Sequence, residues 1–185
     1  DLNAMAQHGV RWGWTGGVNK RSVSELVISM AVALLRHVPV ANNEMRTGTF
    51  RQHVGRQLSD CTIGIVGCGH VGKDLANLLR AFGCRVLAND ILDFPKFYGE
   101  TGVEPASLET VLKESDVVTL HLQLDDTTRN ILDAKHIDAM KSGAILINVA
   151  RGGLVDEAAL KSALKSGALA GAGFDVFQTE TPEDL

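Results

Sequence analysis

The sequence predicts an α/β fold, a doubly wound parallel sheet preceded by one long helix. Three observations lead there. From about residue 59 onward, short apolar runs alternate with stretches of helical periodicity. The runs VVTL (117–120) and AILI (144–147) are nearly continuous in apolar residues, as strands covered on both faces require. The first run ends in three glycines spaced G-x-G-x-x-G over 67–72, at the entry to a helix.

The elements follow in order. Between Ser22 and about Arg46, residues Val23, Leu26, Val27, Met30, Leu34, Leu35 and Val38 recur at three- and four-residue steps, the mark of a helix. Ser22 and Glu25 fit the S-x-x-E of a capping box at its start. Pro39 lacks an amide donor and clashes with the preceding turn, so a kink or split is expected there. The helix is apolar on more than one face and needs two partners. One is its own domain; the other is expected to be a second subunit, giving a homodimer or higher homo-oligomer through 22–46. Strands are expected at Thr62–Val66, Arg85–Asn89, Val117–His121, Ala144–Asn148 and Leu169–Phe174. Helices are expected at His70–Phe82, Ser107–Glu114, Ala134–Met140 and Asp156–Ser166. Gly83, Gly143 and Gly167 each follow a helix, where a left-handed C-terminal cap favours glycine. The stretch Ile91–Glu104, with Pro95, Tyr98 and Gly99, reads as loop and weak strand.

Composition narrows the function classes. The 185 residues, 45% hydrophobic and 22% charged, suffice for one large globular domain with a good core. The net charge of −4 and the lack of a basic block argue against nucleic acid as a partner. The apolar run Leu26–Leu35 is interrupted by Ser29 and followed by Arg36 and His37, too short to span a bilayer, so no membrane partner is expected. Cys61, Cys68 and Cys84 show no C-x-x-C spacing and an odd count, which fits a reducing, cytoplasmic compartment. Cys68, inside the glycine loop, reads as a filler, and no metal site is expected. The start at Asp1 and the end at Leu185 suggest a piece of a longer protein.

The glycine loop carries the chemistry. Gly67 permits the tight turn off a strand, Gly69 leaves bare backbone against a pyrophosphate, and Gly72 lets helix and strand approach. The helix N-terminus offers unpaired N–H groups to the anion. Asp90, closing the next strand about 20 residues on, can accept hydrogen bonds from both hydroxyls of an adenosine ribose and would repel a 2′-phosphate. The combination describes a Rossmann-type dinucleotide site for NAD in preference to NADP. Four further clusters fall at strand ends, where such a sheet places its ligands: His121–Leu122, Asn148–Gly153, Asp175 and Glu180. Singly they have plain readings: a surface charge for Arg151, a turn residue for Asp175, a solvated acid for Glu180. An arginine between an apolar strand and two glycines, however, points a fork of donors into the cleft.

Taken together, GIVGCGHVG, LAND, SDVVTLHL, MKSGAILINVARGGLVDEAAL and LAGAGFDVF resemble the D-isomer-specific 2-hydroxyacid dehydrogenases, from roughly Ser22 to Leu185. Within that family the 3-phosphoglycerate dehydrogenases are most similar. The resemblance implies that residues 1–21 are a hinge and remnant of a missing substrate domain, and that 22–185 are the dinucleotide-binding domain, incomplete at its C-terminal end. It places His70 and Val71 over the pyrophosphate and Leu122 on the adenine side. Val149, Ala150 and Arg151 would line the nicotinamide ribose and substrate, Asp175 the nicotinamide amide, and Thr15 a position near the cofactor. Two residues match the family's catalytic groups. Arg151 would bind the substrate's carboxylate and keto oxygen, a bidentate contact worth about 1.5–3 kcal/mol. Glu180 would raise the pKa of a catalytic histidine expected beyond Leu185; His8, His37, His53, His70, His121 and His136 do not occupy its place. Thr181 separates Glu180 from Pro182, a departure from the family's acid-then-proline pattern. The implied reaction is hydride transfer between NAD and a D-2-hydroxy acid, with 3-phosphoglycerate, a serine-biosynthesis substrate, first. Glyoxylate or hydroxypyruvate reduction and D-lactate oxidation are alternatives; formate oxidation is disfavoured, because that branch carries glutamine at the Glu180 position. An NAD(H)-sensing regulator of the same fold is a different class. The piece is expected to bind NAD weakly without turnover.

Overall fold

The computed structural model describes residues 2–11, 13 and 15–180 of the chain. Six strands form one wholly parallel sheet: β1 (Thr62–Val66), β2 (Arg85–Asn89), β3 (Glu104–Pro105), β4 (Val117–Leu120), β5 (Ala144–Asn148) and β6 (Leu169–Phe174). Their order is β3-β2-β1-β4-β5-β6, so the winding reverses between β1 and β4. That reversal opens the crevice where open α/β sheets bind ligands.

Alternation within the strands supplies both faces. Ile63, Ile65, Ile145 and Ile147 point to one side, against α2 (Lys20–Leu35) and α4 (His70–Phe82). Leu146, Val118 and Leu120 point to the other, against α6 (Leu108–Glu114), α7 (Ala134–Asp138) and α8 (Glu157–Ser166). Fully burying each such side chain contributes roughly 1.5–3 kcal/mol, so the two layers dominate the stability. At the N-terminal edge of the sheet, buried Asp116 accepts from Thr62 N–H (2.8 Å), Lys141 Nζ (2.7 Å) and Arg56 Nη2 (2.8 Å). One carboxylate thereby ties the starts of β1, β4 and β5.

The N-terminal helices depart from expectation. The region 22–46 is split, one of the two outcomes expected, into two helices at 61°, α2 and α3 (Val38–Arg46), but not at Pro39. The break falls at Arg36–His37, where His37 adopts φ 56°, and Pro39 sits in the first turn of α3. Proline is tolerated there because that amide needs no helical acceptor. The Ser22–Glu25 capping box does not form. The helix already begins at Lys20, and Ser22 Oγ instead donates to Asn19 C=O (2.9 Å). Asp74 on α4, largely buried, receives Arg21 Nε (2.9 Å) and Nη2 (3.1 Å), which locks α2 onto α4. With Val27, Ala31 and Leu35 buried, α2 is a core helix, and among the described residues no single helix is long and apolar enough to cross a membrane.

Elsewhere the differences are local. Half of Ile91–Glu104 is a helix, α5 (Pro95–Thr101), with Pro95 in its first turn and Gly102 as its left-handed cap, and the weak strand is confined to its end, at β3. A further helix, α1 (Leu2–Gln7), lies in the stretch expected to be hinge. The third long strand stops at Leu120, one residue before His121, and α7 ends at Asp138. Gly83 and Gly167 cap helices with φ 74° and 78°. Gly143 (φ 75°) is not a cap: it lies in the turn that opens β5 and donates to Ala168 C=O (2.8 Å).

Candidate active site

Because all strands run the same way, the ends of β1, β2, β4, β5 and β6 lie along one edge of the sheet. Gly67, His121–Leu122 and Val149–Arg151 follow β1, β4 and β5; Asp90 follows β2 and Asp175 follows β6. These residues thus share an edge. A hollow of about 610 Å³ lined by Arg36, His53, Arg56 and Asp60 lies instead toward the 58–60 turn that precedes β1, and it contains none of them.

The glycine loop has the form its spacing implies. Gly67 has φ 97°, and a Cβ there would come within 2.7 Å of His121 C=O. Gly72 lies so close to Gly67 C=O that any side chain would collide with it. Gly69, the N-cap of α4, is the opposite case: a Cβ added there meets nothing within 4 Å. Space without a protein occupant at a helix N-terminus is what a diphosphate needs. His70 is exposed in the first turn of α4, against Gly17, and Val71 is half-buried. Cys68 is fully buried, and burial pushes its thiol up to about 11 despite nearby Lys73. It is therefore a neutral filler.

Asp90 does more than the sequence implied. Its Oδ2 accepts from Cys68 N–H (2.6 Å) and its Oδ1 from Leu92 N–H (2.9 Å), so the acid holds the glycine loop to the end of β2. A carboxylate has about four lone-pair positions, which leaves two for ribose hydroxyls. The open Gly69 and this half-satisfied acid fit NAD. Just past β4, His121 shares a hydrogen bond between Nε2 and Thr119 Oγ1 (3.1 Å), and burial lowers its pKa to about 4. It is a neutral imidazole at physiological pH, beside half-buried Leu122.

Arg151 is exposed beyond β5, and its Nη1 donates to Ala150 C=O (2.6 Å). Among the described residues no carboxylate lies within ion-pair distance of it. Val149 is buried and Ala150 half-buried beneath it. Asp175 is exposed, its N–H donating to Asn148 C=O (3.1 Å). Glu180 is exposed and its Oε1 accepts from Phe177 N–H (3.2 Å). The segment bearing Glu180 is pressed onto the Arg151 loop, because a Cβ on Gly152 would overlap Phe177 C=O. It is also tied to α8, where Glu157 Oε1 accepts from Gln178 N–H (2.7 Å). Thr15 is exposed; Thr181 and Pro182 lie outside the described residues.

Asn148, which the sequence marks only as the start of the Asn148–Gly153 cluster, braces the Arg151 loop. Glu157, which braces the Glu180 segment, escaped the sequence reading, since a first-turn glutamate suits any helix.

Comparison with known proteins fits this geometry. Residues 28–185 match the family described as D-isomer specific 2-hydroxyacid dehydrogenase, NAD binding domain. The chain is 35% identical to a hydroxypyruvate reductase of Thermotoga maritima, over 100% of this chain and 60% of that protein. It is 37% identical to a D-3-phosphoglycerate dehydrogenase of Bacillus subtilis, over 100% of this chain and 35% of that protein. A D-lactate dehydrogenase of Lactobacillus jensenii, solved with NAD+, superposes with TM-score 0.87 at 33% identity, over 96% of this chain and 54% of that one. The chain therefore spans between about a third and three fifths of these proteins' lengths.

Proposed function

This chain belongs to the D-isomer-specific 2-hydroxyacid dehydrogenase family and carries its NAD-binding domain, and on that premise we propose that it serves hydride transfer between NAD and a D-2-hydroxy acid. The observation that carries the proposal is the shared edge: an open Gly69 at a helix N-terminus, Asp90 beside it, and an exposed Arg151 two strands beyond β1. NAD, when bound, supplies the nicotinamide ring that takes or gives the hydride. The chain's residues do the rest. Backbone N–H groups at Gly69–Val71 hold the diphosphate, and Asp90 orients the adenosine ribose. Leu122, Val149, Ala150, Asp175 and Thr15 border the remainder. Arg151 grips the carboxylate and keto oxygen of the substrate through its planar fork. Glu180 supplies negative charge that would favour the protonated form of an adjacent imidazole.

We assign 3-phosphoglycerate as the first substrate to test and hydroxypyruvate as the second, since proteins bearing both names are among the relatives. Residues 1–21 are proposed as the hinge to a substrate-binding domain. Exposed Val32, Val38, Val40, Met45, Phe50 and Val54 support a homodimer formed through α2, α3 and the segment after them. A cytoplasmic location is consistent with three free thiols. The test is a panel of 2-hydroxy and 2-keto acids with the complete gene product, following NADH absorbance. Tight NADH binding with no turnover of any of them would favour a regulatory protein and defeat the enzymatic reading.

A further inference from the structure

Asn148 ends β5 and is almost wholly inaccessible, at 1% exposure. Every polar atom of its side chain, and its carbonyl, is committed to a neighbouring loop. Oδ1 accepts from Ala150 N–H (3.1 Å), and Nδ2 donates to Arg151 C=O (2.9 Å). Its own C=O accepts from Asp175 N–H (3.1 Å) at the end of β6. One face of the amide meets a donor and the other an acceptor, so only one orientation satisfies both. We propose that Asn148 is a positioning residue: it sets the direction of Arg151 and the height of Asp175 together, and so fixes the nicotinamide half of the cofactor site. This rests on the cofactor placement proposed for those loops.

The adenosine half is held by different parts, the glycine loop and Asp90, on the far side of β4. That separation makes the role measurable. In Asn148→Asp the side chain keeps its shape and the acceptor for Ala150 N–H. When ionised, it loses the donor and sets a carboxylate oxygen against Arg151 C=O. When protonated, it donates again. The other titratable groups on the elements around it are Arg151, Asp175 and His121, and the last is neutral, with a pKa of about 4.

The experiment measures affinity of the 185-residue chain for NADH and for ADP, which lacks both the nicotinamide and its ribose, at pH 8 and pH 5.5. Asn148→Asp should weaken NADH about tenfold at pH 8, the loss of roughly one hydrogen bond beside a charge. ADP should stay within about twofold at both pH values, because its half of the site is untouched. NADH affinity should return to within about threefold of the unsubstituted chain at pH 5.5, where the buried acid takes up its proton. Equal weakening of both ligands, or none of either, would overturn the proposal. If Asn148→Asp does not fold, Asn148→Ser decides by the same NADH against ADP comparison. Failure of the unsubstituted chain to bind ADP would instead reject the cofactor reading itself.

Discussion

Gly69 and Gly72 lie three residues apart in one loop, yet replacing each by alanine should do opposite things. At Gly69 a methyl group enters open space, and φ is −79°, accessible to any residue. The folding cost should be about 0.5–1 kcal/mol, the loss of a favourable N-cap glycine. At Gly72 the methyl collides with Gly67 C=O, so helix and strand must part. Overpacking of that kind costs about 1–3 kcal/mol, or roughly 2–12 °C in Tm for a chain of this size. Binding should rank the other way per unit of stability lost. A methyl at Gly69 stands where the diphosphate meets bare amides. Losing one charge-assisted N–H contact of about 1.5–3 kcal/mol weakens NADH roughly ten- to a hundredfold. Thermal melts by circular dichroism give the first quantity and titration of NADH fluorescence the second. Unchanged NADH affinity in a folded Gly69→Ala chain would refute the placement of the diphosphate, whatever happened at Gly72.

Other outcomes follow from the far edge and the outer helices. Burial opposes the charge on Asp116, but hydrogen bonds from Lys141, Thr62 N–H and Arg56 more than offset it and hold the carboxyl below its ordinary range. Its stabilisation is therefore present above the unfolded carboxyl pKa of about 3.9 and lost as pH falls through the lower folded value. Asp116→Asn should be less stable in urea by about 2–3 kcal/mol at pH 7, with the difference shrinking below about pH 4; a constant difference across that range would contradict this. If the apolar surface beyond α3 is a subunit interface, Phe50→Ser with Val54→Asp should shift sedimentation toward monomer while leaving the unfolding free energy of the monomer within about 1 kcal/mol of its original value. Both residues are more than four-fifths exposed, at 85% and 89%. An unsubstituted chain that sediments as a monomer at high concentration would dispose of the interface.

The sheet was legible because buried parallel strands write themselves as apolar runs, and VVTL and AILI have no other economical reading. The glycine loop was legible because its three positions have separate steric reasons. What was missed has reasons too. Periodicity continued across Arg36–His37, so the break was placed at Pro39, although proline is welcome in a first turn and the real interruption is a left-handed histidine. The same oversight hid α5, where Pro95 opens the helix and Gly102 closes it. The capping box failed because Asn19, a residue type favoured at N-caps, starts the helix three residues before Ser22, while S-x-x-E can equally occur one turn inside. At the site, residue types pointed to Arg151 and Glu180. Their bracing by Asn148 and Glu157 is a matter of hydrogen bonds between segments up to 27 residues apart, which spacing in one sequence does not display.

Strand order also dictates how this chain can be made. β1 pairs with β2 on one side, but its inner neighbour is β4, and the 50 residues 67–116 must leave the ribosome before that partner exists. During that interval the open flank of Ile63–Val66 is an unpaired apolar edge, the kind of surface on which nascent chains stick to one another. Asp116 meets the Thr62 N–H and Arg56 only when β4 arrives, and Lys141 later still. Synthesis rate and chaperone supply, rather than final stability, should therefore govern the yield of this protein in a cell.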